Sequence, residues 1–210
     1  MLARILPRKF YERPSIVVAP DLIGKVLVRD VAGSRLEGII VETEAYAGLE
    51  DPASHAYRGK TKRNEVMFGE AGHAYVYFTY GFHHCLNFVT ATEGTPEAVL
   101  IRALEPITGI EEMKQRRMTS DLRNLTSGPG KLCKALAIDR SLNGIDVTKL
   151  SSQISVREGK GTPRLIGSSA RIGIRVATQR PWRFFDAQSE FVSAKKQTRM
   201  EPTSPAILPK

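Results

Sequence analysis

Through the first hundred residues the chain reads as one strand after another, with turn chemistry between most of them. Residues 25–30 are rich in β-branched side chains, Ala32-Gly33-Ser34 are turn formers, and residues 36–46 alternate like a returning strand, which together predict a hairpin. Residues 74–80 and 84–90 predict a second hairpin with an exposed tip at Gly81-Phe82-His83, and residues 98–104 a further strand. Strands in succession, with helices inserted late, point to an α+β fold built on a mainly antiparallel sheet rather than a doubly wound one.

The remaining elements are weaker. Pro14 at a first helical position predicts a short helix to about Leu22, with an irregular interior at Pro20 and an end at Gly24. Thr108-x-x-Glu111 has the capping-box pattern and predicts a helix to about Met118; a further helix fits residues 131–138. Strands are expected at 154–157 and 169–176. Residues 47–72 mix Gly, Pro, Asn and charge without a period, so they are expected to form a long ordered loop with room for one short helix; loops of that kind inside compact domains are usually functional. A length of 210 residues suits one domain, expected over 1–194, and the Pro/Ser/Thr/Lys composition of 195–210 predicts a flexible tail.

Lysine and arginine outnumber aspartate and glutamate 31 to 22, a formal charge of +9 that favours polyanionic partners, whether nucleic acid or an anionic membrane surface, and also serves simple solubility. Arg58, Lys60, Lys62 and Arg63 cluster without an intervening acid, and Arg171, Arg175, Arg180 and Arg183 recur later, which predicts two basic surfaces. Cys85 and Cys133 are too few for a disulfide framework, so reduced thiols and an intracellular setting are expected: cytoplasm or nucleoid in a bacterium, nucleus in a eukaryote. No targeting segment and no apolar run of the ~18–20 residues that span a bilayer is visible, so no membrane association is expected.

Side chains two apart on a strand share a face, so Glu42, Glu44 and Tyr46 point one way and Val41, Thr43 and Ala45 the other, toward the core. A carboxylate and a ring about 7 Å apart on one face can line a pocket for a flat substrate; they can equally be a solvated face. The second hairpin concentrates three tyrosines and two phenylalanines in nine positions. Val76 and Phe78 are expected in the core, Tyr77 on the opposite face is open to either use, and Tyr80 and Phe82 flank a tip suited to insertion into a partner. Beside the basic loop this makes the aromatic and cationic pattern of a nucleic-acid groove. His83, His84 and Cys85 do not make a metal site, because consecutive strand residues alternate faces and no zinc motif is present. His73 is expected to be structural and Cys133 to pack in the core.

Several blocks in order, Val41-Glu-Thr-Glu-Ala-Tyr46, Ser54-His55, Arg63-Asn64, Met67-Phe68, Tyr75-Val-Tyr77, Tyr80-Gly81, Cys85-Leu-Asn87, Leu100-Ile-Arg-Ala-Leu-Glu-Pro106 and Gly128-Pro-Gly-Lys-Leu-Cys-Lys-Ala-Leu-Ala-Ile138, closely resemble the alkyladenine (3-methyladenine or methylpurine) DNA glycosylase family, over roughly residues 14–185. The resemblance implies a single compact α+β domain on a curved, mainly antiparallel, open-barrel-like sheet with peripheral helices and no helix-hairpin-helix. It implies a monofunctional glycosylase of base excision repair, without cofactor or metal, that binds damaged duplex DNA from the minor groove; a single-domain DNA binder with one wedge is expected to work as a monomer. Substrates would be alkylated or deaminated purines of the 3-methyladenine, 7-methylguanine, hypoxanthine and ethenoadenine class.

By the same resemblance Glu44 matches the general base and Arg102 its neighbour that helps hold the water. Tyr46 would stack on one side of an extruded base, with His55 and Tyr77 on the other; backbone groups near Ala53 and His55 would read its edge, and Asn87 would crowd the exocyclic amine of normal guanine. Tyr80 matches the wedge that fills the gap in the duplex, with Phe82 beside it. Arg58, Lys60 and Arg63 are expected on the DNA backbone, as is Lys131, where Ser127-Gly-Pro-Gly-Lys131 opens a helix whose free amides suit a phosphate. No lyase activity is expected. Two readings from other classes stay open at this point: a metal-dependent nuclease using Glu42, Glu44 and Asp51, and a non-catalytic binder of damaged DNA that retains only the wedge.

Overall fold

A computed structural model of the chain describes residues 4–79, 81, 83–159 and 164–193. Two strands form the spine: β2 (Ser34–Tyr46) and β5 (Glu97–Thr108), antiparallel along nearly their whole length. On its other edge β2 pairs first with β1 (Val26–Val31) and then, at its far end, with β8 (Arg183–Asp186). The hairpin β3 (Ala74–Thr79) and β4 (His83–Thr90) joins through β4 to β5, while β6 (Ile154–Arg157) flanks β1 and β7 (Ile166–Ser169) flanks β8. The eight strands make one curled, half-barrel antiparallel sheet in a single compact domain, the α+β class that the strand succession implies.

Local chemistry explains the hairpins. Ala32 (φ 50°) and Gly33 (φ 81°) take consecutive left-handed conformations, the two-residue turn whose twist matches that of the flanking strands, so Val31 faces Ser34. The helices are short and peripheral: α1 (Arg8–Tyr11), α2 (Ser15–Asp21), α3 (Ile110–Arg117) and α4 (Pro129–Ala135). α2 follows Pro14 as expected, with Pro20 in its last turn. α4 starts two residues before the expected position because Pro129 needs no amide partner at a first helical position. Its buried Cys133 belongs to the main core, with Tyr11, Leu22, Leu27, Phe88 and Leu104.

Four expectations fail for physical reasons. Thr108 does not cap α3: it is still strand, opposite Glu37, and gives its hydroxyl to that carboxylate at 3.0 Å, leaving Gly109 at the cap. Residues 170–176 are not a strand; the strand lies earlier, at Ile166–Ser169, and Arg171 and Ile172 after it donate to the Ala45 carbonyl and the Glu44 carboxylate instead of to a ladder. Phe78 is 43% exposed rather than in the core, whereas Val76 is buried. Val41 does not join Thr43 and Ala45 on the main-core face. The β2–β5 register slips between Ile40 and Glu42 and again between Glu42 and Thr43, and Val41 packs instead with Ala103 and Phe191 in a separate small cluster. Such bulges re-aim side chains next to functional sites.

The loop of residues 47–72 is ordered by its own polar side chains. Buried Asn64 donates to the carbonyls of His55 (2.8 Å) and Gly59 (3.0 Å) and accepts from the Thr61 amide (2.6 Å). It carries two single-turn 3-10 segments, Gly48–Glu50 and Glu65–Phe68, rather than one helix. No helix among the described residues is long and apolar enough to cross a membrane. The expected tail at 195–210 lies outside the described residues.

Candidate active site

The double register slip places Glu42 and Glu44 on β2 and Arg102 on β5 around one point, and all three are buried. The solvated-face reading of the two glutamates is thereby excluded. A carboxylate withdrawn from water needs charged or hydrogen-bonding partners to remain ionised. Glu42 has many: Arg102 Nε at 3.1 Å, Arg183 Nε at 2.6 Å, the Ser193 amide at 2.7 Å and the Ser193 hydroxyl at 2.9 Å. Burial pushes its pKa up, but Arg102, Arg183 and the Ser193 donors together outweigh it and hold the group below the ordinary 4.5.

Glu44 has fewer. It accepts from the Tyr46 phenol at 2.9 Å and from the Ile172 amide at 2.7 Å, and lies 3.3 Å from Arg102 Nη1. Here burial dominates over Arg102, the Ile172 amide and Tyr46, and neighbouring Glu42 adds to it, so the pKa of Glu44 is raised. Arg102 bridges both acids; burial weakens its charge, but Glu44 and Glu42 more than restore it. Two carboxyl groups with opposed shifts in one place are the arrangement from which acid and base roles are assigned.

Beside this set opens a cavity of about 470 Å³ whose walls include Tyr46, Ala53, His55, Tyr75, Tyr77, Asn87 and Arg102. The structure thus brings together every base-contacting residue expected from the sequence. Glu44 is not itself on the wall; it lies directly behind Tyr46, Arg102 and Ile172, which are. The His55 and Tyr77 rings meet edge to face at 4.5 Å, Tyr75 leans on Tyr77 at 5.3 Å, and His55 Nδ1 is 2.9 Å from the Tyr75 hydroxyl. Although His55 as a residue is exposed, its ring packs among these phenols; that desolvation, helped by the Arg63 charge, pushes its pKa down to about 4 and leaves it a neutral ring near neutrality. Burial raises the phenol of Tyr75 to about 12 and also pushes up those of Tyr46 and Tyr77, so all three stay protonated.

Backbone and amide groups of the wall are partly committed. Ala53 gives its amide to Asp51 Oδ1 at 3.2 Å, the His55 carbonyl is taken by Asn64, and Asn87 donates to the Tyr75 carbonyl at 3.1 Å. None of the four expected DNA-backbone residues lines the cavity. Arg58 and Lys60 are exposed, the Lys60 ammonium stands 6.0 Å from the Phe68 ring, and Arg63 lies over the Tyr77 ring at 5.4 Å. Lys131, in the first turn of α4, gives its ammonium to Asn124 Oδ1 at 2.5 Å. Tyr80 and Phe82 lie outside the described residues; Gly81 between them has φ +75°, which suits a tight tip.

Some functional groups were not legible. Arg171 and Arg183, counted from the sequence as surface charge, are buried, so the second basic surface is reduced to Arg175 and Arg180. Arg171 forms a two-pronged pair with Asp51, Nη2 to Oδ1 at 2.8 Å and Nη1 to Oδ2, while Arg183 holds Glu42. Glu42 and Asp51 are therefore engaged by guanidinium groups rather than grouped with Glu44 as cation ligands. Among the described residues no set of three His, Cys, Asp or Glu side chains is placed to hold a metal ion. The Ile172 amide had no sequence signal at all, since any residue can supply it.

The curled antiparallel sheet thus carries an aromatic cavity backed by a buried glutamate–arginine set, the polar and flat-walled kind of site found in enzymes. The chain belongs to the methylpurine-DNA glycosylase (MPG) family, whose model matches residues 9–190. It is 51% identical to a protein of Carboxydothermus hydrogenoformans, covering 91% of this chain and all of that one, and 49% identical to one of Methanocella arvoryzae, covering 91% and 96%. A protein of Burkholderia lata is 46% identical, covering 90% and 91%. All three are provisionally named 3-methyladenine DNA glycosylase. The protein is accordingly a methylpurine-type DNA glycosylase, a hydrolase of N-glycosyl bonds with DNA as its substrate.

Proposed function

We propose that the protein removes alkylated or deaminated purines from duplex DNA by extruding the damaged nucleotide into the aromatic cavity, with Glu44 as general base. The observation that carries this reading is the placement of a buried carboxyl with a raised pKa immediately behind three groups of the cavity wall, Tyr46, Arg102 and Ile172. Arg102 borders both the cavity and Glu44, so a water carried on its guanidinium lies beside the carboxylate. The C1′–N bond breaks with its electron pair passing to the purine, the water oxygen bonds to C1′, and the water proton goes to Glu44. The negative charge of Glu44 also stabilises the oxocarbenium character that develops at the sugar.

The base sits between Tyr46 and the His55–Tyr77 pair, where an alkylated, cationic purine gains about 0.5–2 kcal/mol per ring over a neutral one. Asn87, on the wall and anchored to the Tyr75 carbonyl, is the group to exclude an exocyclic amine. Extrusion costs a few kcal/mol, least at damaged pairs, and the Tyr80 wedge with Phe82 from the minor-groove side offsets part of it. Arg58, Lys60, Arg63 and Lys131 hold the flanking phosphates, the last by exchanging Asn124 for a phosphate. One chain carries all of these parts, so a monomer suffices.

The test is incubation with alkylated duplex DNA in the presence of EDTA. Free purine and alkali-labile abasic sites are expected. Strand breaks without alkali that vanish with chelator would instead indicate a nuclease, and tight binding without release a passive binder.

A further inference from the structure

Tyr46 has an unusual back wall. Arg171 does not border the cavity, yet its guanidinium carbon lies 4.6 Å from the Tyr46 ring centroid and 5.2 Å from that of Trp182. Arg180 continues the stack, 4.5 Å from the Trp182 ring. The Arg171 side chain is wholly buried: its fork takes Asp51 and the Ala45 carbonyl (2.9 Å), and its Nε–H has no acceptor among the described residues. It is thus a desolvated cation held by two ring faces and one carboxylate. The carboxylate is buried as well, and Arg180 lies 3.9 Å from it, so two cations and one anion stand behind Tyr46.

A ring's attraction for a cation on one face comes from its quadrupole, and a cation already on the other face repels the second through the same ring. From this geometry we infer that the Asp51–Arg171 pair, with Arg180, sets how far the pocket prefers cationic over neutral bases. Arg171 and Arg180 lower the cation preference of Tyr46, and Asp51 restores part of it. The inference rests on the base-binding role proposed for Tyr46. It gives a pair remote from the sugar control over substrate choice rather than over the chemical step, and it makes Arg171 a positioning and selectivity residue, not a catalytic one.

The test measures single-turnover excision of 7-methylguanine, a cationic base, and of hypoxanthine, a neutral one, from otherwise identical duplexes. The readout is the ratio of the two rates relative to the wild type. Asp51→Asn strips Arg171 of its counter-charge and should lower the cationic-to-neutral ratio about fivefold; Arg171→Gln should raise it by a similar factor. Arg180→Gln, at a partly exposed site, should raise it in the same direction and serves if Arg171→Gln does not fold. A purely structural role would slow both substrates together and leave the ratio fixed; that result, or shifts of the same sign for Asp51→Asn and Arg180→Gln, overturns the inference. Tyr46→Leu is measured alongside. If it impairs excision while the charge variants leave the ratio unmoved, only this inference falls; if it leaves both excisions unchanged, the base-pocket reading falls with it.

Discussion

Arg102 reaches Glu42 at 3.1 Å and Glu44 at 3.3 Å, yet the two carboxyl groups it joins are displaced in opposite directions, Glu42 downward and Glu44 upward. The difference lies in what else each acid holds. Glu42 owns a second arginine and both Ser193 donors, whereas Glu44 shares its one guanidinium and otherwise has an amide and a phenol. Glu42 is the permanent anion that keeps Arg102 in place; Glu44 is left with the more basic carboxylate.

Glu42→Gln should therefore move the chemistry as well as the fold. Losing the neighbouring negative charge lets Glu44 ionise more easily, so the acidic limb of a kcat/KM–pH profile is expected at lower pH than in the wild type. Leaving Arg183 and Arg102 without their shared anion should cost about 3–5 kcal/mol in a urea titration.

Tyr46→Phe should shift the same limb the other way. The phenol donates to Glu44 and favours its charged form, so its removal raises a pKa that already stands above 4.5. Activity at the acidic end should fall more than at neutral pH, and a profile that superimposes on the wild type would show that Glu44 is not the titrating base.

His55 has a pKa pushed down to about 4 from an ordinary 6.5. A depressed folded-state value means that its contribution to stability is complete above 6.5 and is lost as pH falls through about 4, because the unfolded chain takes up the proton first. Urea midpoints of the wild type should decline through that window relative to His55→Gln, and an NMR titration of the ring should place its midpoint near the lower value.

Gly109→Ala tests the junction between β5 and α3. The residue has φ +75°, and a Cβ there would lie 2.3 Å from Leu36 Cδ2 and 3.0 Å from the Arg35 carbonyl. Left-handed backbone and overpacking together should cost about 2 kcal/mol or more, with excision per folded molecule unchanged.

The hairpins and the Glu44–Tyr46 pair were legible because they rest on short-range rules, turn residues and side chains two apart on a strand, while α4 was placed but its start at Pro129 was missed. What escaped depends on long-range partners. Nothing near Val41 announces that β5 will slip against β2 there, and Thr108 matches a capping box only until Glu37 claims its hydroxyl. Arg171 and Arg183 look like surface charge until Asp51, far earlier in the chain, and Glu42 are folded onto them. The four-residue β8 is too short to have a period, and its ladder is set by β2 and β7 on either side.

The central claim is most directly tested by Glu44→Gln in single-turnover excision of an alkylated purine, with affinity for the same duplex measured in parallel. Loss of a positioned general base should slow release by about 10²- to 10⁴-fold while the complex forms as before. Excision at the wild-type rate by a folded Gln variant would contradict the account.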